Sequence, residues 1–343
     1  MHSQASSIVP TALLPGQWSI EEAEMWQSKQ GFRTGCNFYP STAINQIEMW
    51  QASTWDPETI QRELGWAASI GMSVVRVYLH DLVFECDPEG LLARMDEFLG
   101  TASGVGIQTM FVFFDDCWNG EGDLGPQPAP KPSVHNSGWL RSPLDRHRSY
   151  PEDFARLEAY VKAVMTRFKD DERVYLWDLY NEPGNGSQEI VSLPLLEKVF
   201  EWAREIRPSQ PISAGIWFDK EEYNTLQAAQ SDVITFHHYN GLESLKTMVD
   251  RLRPAGRPLV CTEWMARTAQ SLVQTHLPWF AEEGITAINW GLVKGKTQTC
   301  WPWGTEEGAP EADPWFHDLF WPDGRVYSED EAEVFRSGTQ NDA

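Results

Sequence analysis

Short apolar runs alternate along the chain with longer stretches in which apolar residues recur every three or four positions. The runs predict strands over Phe32–Phe38, Val74–Leu79, Gln108–Phe114, Val174–Tyr180, Pro211–Ile216, Val233–His237, Leu259–Thr262 and Thr286–Trp290. Between them the spacing predicts helices over Pro57–Ile70, Glu89–Ser103, Pro151–Phe168, Leu193–Ile206 and Leu272–Glu283. Asp56 offers the first of these an N-cap oxygen, and Pro57 fits its first turn, where no backbone N–H is needed. The strands are apolar nearly throughout, as strands covered on both faces must be. Eight strand-and-helix units predict an α/β fold, a (β/α)8 TIM barrel. A doubly wound dinucleotide fold would carry G-x-G-x-x-G after its first strand, and none stands there.

Such a barrel needs about 250 residues, and the chain has 343. The excess lies in an N-terminal arm (residues 1–30), a Pro/Gly-rich insertion after the third strand (121–139) and a Trp/Pro-rich segment after the eighth (294–320). Residues 31–343 therefore read as one catalytic barrel with long loops after strands 3 and 8, and no linker or repeat marks a second domain.

Fifty acidic against 27 basic residues leave a net charge of -23, which repels phosphate backbones and anionic lipid. Nucleic acid is excluded as a partner on this ground. No apolar run approaches the roughly 20 residues of a membrane span, so no membrane partner is expected. The first residues lack a basic start and are interrupted by Pro10 and Pro15. No secretory signal is therefore expected, and the cytoplasm is the expected compartment unless the sequence is that of a mature, secreted form. Five cysteines with no C-x-x-C pair argue against a disulfide framework and a zinc site. No heptad pattern stands out, so a monomer is expected.

Two apolar strands run directly into an acid. Trp177-Asp-Leu-Tyr-Asn-Glu-Pro183 delivers Asn181 and Glu182 to one strand tip, and Pro258-Leu-Val-Cys-Thr-Glu263 delivers Glu263 to another. Strands four and seven of an eight-stranded barrel face each other across its mouth. Two opposed carboxyls are the minimum set for cleaving a glycosidic bond, with no metal and no cofactor: one protonates the leaving oxygen, the other attacks the anomeric carbon or activates water.

These residues resemble the clan A glycoside hydrolases, most closely family 5, the cellulase-like family. The resemblance covers about residues 30–295. It implies that Glu182 is the acid/base, Glu263 the nucleophile, and that anomeric configuration is retained. It further implies that Arg76, ending strand two, braces the nucleophile; that His237 lines the sugar site and Tyr239 hydrogen-bonds the nucleophile; and that Trp290 floors the subsite next to the scissile bond. His238 is one residue out of phase and is expected to point away. With Glu182 protonated when the first step begins, its pKa is expected to be raised by a dry site and by Glu263.

One departure concerns the end of strand three, where the family usually carries a histidine and this chain reads Phe113-Phe-Asp-Asp-Cys-Trp-Asn119. Asp115, Asp116 or Trp118 replaces it, or His135 reaches in from the insertion. His80-Asp81 is a further candidate, with a non-catalytic loop pair as the alternative. Lys294, Lys296 and Gln298 read either as hydroxyl donors to substrate or as a solvated turn. Several of the seventeen tryptophans sit in loop contexts, among them Trp118, Trp301 and Trp303, where they serve either as sugar platforms or as loop anchors.

The expected function is a retaining glycoside hydrolase acting on a β-linked oligosaccharide or glycoside, cut from one end because long polymers do not enter cells. The alternatives are an endo-acting β-glycanase on β-mannan, xylan or β-glucan, and a sugar-binding barrel without catalysis. Metal-dependent hydrolases and aldolases need His/Asp clusters or a Schiff-base lysine at strand ends, and only the His237-His238 pair comes near that.

Overall fold

The computed structural model describes residues 13–148, 150–186, 191–217 and 220–338, so residues 1–12 of the predicted N-terminal arm lie outside it. Its eight strands are β1 (Thr34–Asn37), β2 (Val74–Tyr78), β3 (Gln108–Asp115), β4 (Val174–Asn181), β5 (Ile212–Ser213), β6 (Ile234–His237), β7 (Leu259–Glu263) and β8 (Thr286–Trp290). They form one parallel sheet in the order β5-β4-β3-β2-β1-β8-β7-β6. A parallel bridge between Ile216 and Phe236 joins its two edges and closes the barrel. Burial along the strands is near complete, which is why their sequences show no polar alternation.

The fifth strand is the one that departs most from the sequence reading. Its ladder lapses after Ser213 and resumes at Ile216. Gly215 passes so close to the His237 ring that a Cβ there would lie 3.1 Å from Nε2, so the gap makes room for that imidazole.

Long helices pack outside the strands where the apolar spacing places them, at Pro57–Ser69, Pro88–Gly104, Phe154–Phe168, Leu193–Ile206 and Val273–Glu283. Asp56 does cap the first, accepting the Thr59 N–H at 3.1 Å, and Asp87 caps the second through Gly90. The N-terminal arm, to which the apolar spacing assigns no helix, carries one at Ile20–Gln30, with a Ser19/Glu22 capping box. The S-x-x-E spacing carried that signal. Ala23 of this helix is buried in a cluster with Val74, Met110, Tyr175, Leu176, Val233, Val260 and Ile288, against which Trp18 and Trp26 pack. The helix plugs the amino-terminal end of the barrel, leaving the carboxyl end for chemistry.

Strand register assembles that end. Asn37 pairs with Arg76 and Trp290, Asp115 with Asn181, and His237 with Glu263. A register shift between Phe236 and His237 brings the histidine opposite the glutamate.

Candidate active site

A cavity of about 550 Å³ opens at the carboxyl ends of the strands. Its lining includes Asn181, Glu182, His237, Tyr239, Glu263, Trp290, Trp118 and His135. One carboxylate oxygen from each of Glu182 and Glu263 and one nitrogen of His237 lie within 4.8 Å of one another. His237 Nδ1 stands 2.8 Å from Glu182 Oε1 and 3.5 Å from Glu263 Oε2. Glu182 occupies a left-handed backbone conformation (φ 45°), uncommon for a residue with a Cβ, at the turn where β4 ends.

Glu263 is held from behind and from the side. Arg76 Nη1 donates to Oε1 at 2.7 Å and Tyr78 O–H to the same atom at 2.8 Å, while Tyr239 O–H donates to Oε2 at 2.7 Å. Arg76 is fully buried and does not reach the cavity, so it is a brace rather than a sugar contact. It also donates to Asp178 Oδ2 (2.9 and 2.7 Å), Asn37 Oδ1 (2.8 Å) and Asn181 Oδ1 (2.7 Å). Burial opposes its charge, but the Tyr78, Asp178 and Glu263 oxygens around it outweigh burial and push its pKa up. Tyr78, Asp178 and Asn37 were missed from sequence. For Tyr78 the signal was there: it lies two residues beyond Arg76 on one strand, hence on the same face.

Glu182 departs from expectation. Burial pushes its carboxyl up, but the hydrogen bond and charge of His237, and bonds from Cys117 and Asn185, outweigh burial and hold it below the ordinary glutamate value. Asn185 Nδ2 donates to Oε2 at 2.6 Å and the Cys117 thiol to the same atom at 3.2 Å. The expectation of a raised value counted burial and the charge of Glu263 but not His237 as a partner of this carboxyl, and Cys117 and Asn185 stand in turns that the strand pattern does not place.

At the end of β3, Asp116 does not reach the cavity. It turns inward, accepting Tyr180 O–H at 2.8 Å, the Gly184 N–H at 2.6 Å and the Ser192 hydroxyl, and so braces the loop behind Glu182. Asp115 lies beneath the site, accepting from Asn181 Nδ2 (2.9 Å) and Trp139 Nε1 (2.7 Å); burial pushes it up to about 7. Trp118 and His135 do border the cavity, with their rings stacked at 5.5 Å. His135 Nδ1 donates to the Trp301 carbonyl at 2.8 Å, which leaves Nε2 as an acceptor.

Other readings are corrected by contacts. His238 stands among the residues bordering the cavity, but its ring is engaged by the helix Leu242–Leu252, with Nε2 3.0 Å from Ser244 Oγ. His80 and Asp81 are buried: His80 caps the following helix, and Asp81 pairs with Arg156 at 2.7 Å. Lys294 is no hydroxyl donor, since it pairs with Glu311 and lies about 5 Å over the Trp301, Trp315 and Trp321 rings. Lys296 pairs with Glu48 at 2.6 Å.

Gln298 is a stitch. Its side chain accepts the Ser133 N–H at 2.7 Å and donates to the Lys131 and Val134 carbonyls. Asn136 N–H to Thr297 O, Gly308 N–H to Pro132 O and Ser133 Oγ to Ala309 O, at 2.7–2.9 Å, continue the seam. The insertion after β3 is thereby sewn to the segment after β8, across the mouth above the intervening β2 and β1. Trp303, one of the candidate platforms, lines the cavity as well; Cys117, Asn136, Arg141, Asn185, Trp217 and Asn240 also do so and were not foreseen, all standing in loops where spacing is silent.

Glu182, His237 and Glu263 form the one group among the described residues with spacing that a metal ion could use. The Arg76 guanidinium against Glu263 disfavours a cation there, and the phenol donors already occupy the oxygens. Among the described residues no helix is long and apolar enough to cross a membrane.

A closed (β/α)8 barrel with an opposed glutamate pair at its carboxyl mouth defines a glycoside hydrolase. The model of cellulase, glycosyl hydrolase family 5, matches residues 36–296, and the chain belongs to that family. No curated protein sequence matches the chain. Among solved structures it is similar to an exo-β-1,4-mannosidase from Opitutaceae bacterium strain TAV5, with TM-score 0.65 and 19% identity. That match covers 96% of this chain but 62% of the mannosidase, so the chain spans under two thirds of that protein's length. It is similar too to the GH5_18 protein of Streptomyces cattleya in complex with GlcNAc (0.61, 13%, covering 90% and 79%). A third likeness is to an endo-1,4-β-mannanase from Rhizomucor miehei (0.55, 15%, covering 90% and 98%).

Proposed function

We propose that the protein is a retaining, exo-acting β-glycosidase that releases a terminal sugar, with mannose the leading candidate, from short β-linked oligosaccharides. Glu182 serves as acid/base and Glu263 as nucleophile. The observation that carries the exo reading is the seam over β2 and β1: a cleft stopped on one side admits a chain end, whereas an endo enzyme needs passage on both sides. The nearness of the two acids supports retention, since retaining enzymes hold their carboxyls about 5–5.5 Å apart and inverting ones leave room for a water. Similarity to structures named for β-1,4-mannosidase and β-mannanase activity supports mannose.

In the first step a Glu263 oxygen attacks the anomeric carbon as its bond to the leaving oxygen breaks, and that oxygen takes a proton from Glu182. Arg76, Tyr78 and Tyr239 keep Glu263 aimed. His237 Nδ1, between the acids, holds a proton at Glu182 Oε1 while the free site waits for substrate. In the second step Glu182 takes a proton from water, the water oxygen attacks the same carbon, and the glycosyl ester to Glu263 breaks. Two inversions leave the configuration unchanged.

A second reading, endo-cleavage of a β-mannan, has one observation in its favour: Trp118 and Trp303 are 41% and 46% exposed, with indole faces at the rim on which a longer chain could stack. The test is a panel of aryl β-pyranosides and β-furanosides, β-1,4-manno-oligosaccharides and polymeric mannan. Release of monomer from the chain end is expected. Internal cutting of polymer, with aryl mannosides untouched, would reverse the exo assignment.

A further inference from the structure

We propose that Cys117 is a positioning residue for the acid/base: its S–H, oriented by two asparagine amides, fixes the Glu182 carboxyl and favours its ionised form for the second half of the cycle. The proposal rests on the reading of Glu182 as acid/base.

The thiol stands where the family resemblance expects a histidine, just past β3. Its backbone is set by Asp115, whose Oδ1 accepts the Cys117 N–H at 2.9 Å. Sγ lies 3.3 Å from Asn181 Nδ2, 3.5 Å from Asn185 Nδ2 and 3.2 Å from Glu182 Oε2. Direction follows from chemistry. Amide nitrogens only donate, so both asparagines point hydrogens at sulfur, and an ionised carboxylate only accepts. The single thiol hydrogen is left to point at Glu182. Burial, with Asp115, Glu182 and Glu263 nearby, pushes the thiol far above its ordinary range, so it remains a donor S–H and not a thiolate.

This bond joins the two halves of the Asn-Glu turn. Asn181 is tied to Arg76 through its oxygen and to Asp115 and Cys117 through its amide, and Asn185 bonds both Cys117 and Glu182. Sulfur is thus the common point between the brace of the nucleophile and the acid/base. A thiol is a weaker donor than a hydroxyl. It steadies Glu182 without holding it as an anion so firmly that the first step, which needs the proton, is lost.

The test compares Cys117→Ala and Cys117→Ser with wild type in two ways. One is the alkaline limb of kcat/KM on the aryl glycoside that wild type cleaves; the other is 13C NMR titration of the Glu182 carboxyl, assigned with Glu182→Gln, which needs no substrate. Removing the donor raises the pKa of Glu182. The limb and the titration in Cys117→Ala should therefore move up together by about 0.5–1 pH unit, while Cys117→Ser stays at or below wild type. A uniform loss of activity in Cys117→Ala with neither moved would make the thiol packing only and overturn the proposal. A Glu182→Ala variant as active as wild type on a glycoside with a poor leaving group, which needs the proton, would overturn the acid/base reading itself, and with it the catalytic meaning of the bond, even with the titration order intact.

Discussion

Asp178 grips Arg76 through Nε at 2.9 Å and Nη2 at 2.7 Å, and both side chains are fully buried. The pair carries its force to the surface of the site, because Nη1 of the same guanidinium meets Glu263 at 2.7 Å. Asp178→Asn keeps the shape but removes the charge that aims the guanidinium. We expect kcat/KM to fall about tenfold or more, the scale of one lost charge-assisted bond. Arg76→Met leaves two buried acids without their cation and should cost about 3–5 kcal/mol of stability, read by urea unfolding.

Glu182→Ala should lower kcat/KM by about 10²–10⁴-fold on substrates with poor leaving groups, and far less where the leaving group needs no proton. Glu263→Ala should lose activity on both. Added azide distinguishes the roles by product: a β-glycosyl azide from the first variant and an α-glycosyl azide from the second. The same anomer from both would remove the assignment of roles.

Gln298→Ala cuts the central stitch between the two long loops and leaves the Ser133 N–H and two carbonyls without that partner. A loss of about 1–3 kcal/mol is expected. With the seam loosened, activity on manno-oligosaccharides of four or more units should rise relative to mannobiose. An unchanged ratio would show that the seam does not set substrate length.

Burial lifts Asp115 to about 7, against hydrogen bonds from Asn181, Trp139 and Cys117. A value above that of the unfolded chain means the folded state binds the extra proton. Its contribution is full below about pH 4 and lost as pH rises through 7. Glu63, also lifted to about 7, and Asp318, lifted to about 6, slope the same way, whereas His135 and His238, lowered to about 4 by burial, slope oppositely. The single-site difference is therefore the clean measurement. The melting temperature of Asp115→Asn should gain on wild type between pH 5 and 8, and a constant difference would place the titration elsewhere.

The chain by itself determined the barrel and its acid pair. Eight apolar runs must be covered on both faces, and a run that ends in Asn181-Glu182-Pro183 or Glu263 has nowhere to put its acid but the strand tip. Arg76, His237, Tyr239 and Trp290 were legible for the same reason, being at strand ends whose register the barrel fixes. Tertiary structure decided what loops contribute. Asp116 and Trp118 are two residues apart, yet one braces a loop from behind and the other borders the cavity. Lys294 reads in sequence as either a hydroxyl donor or part of a solvated turn, and only the fold sets three indoles and Glu311 around it. Cys117 gained a role only when Asn181, Asn185 and Glu182 converged on its sulfur. Strand periodicity repeats locally and can be read in one dimension; a hydrogen bond between residues 65 apart, like that of Cys117 to Glu182, exists only once the chain has closed on itself.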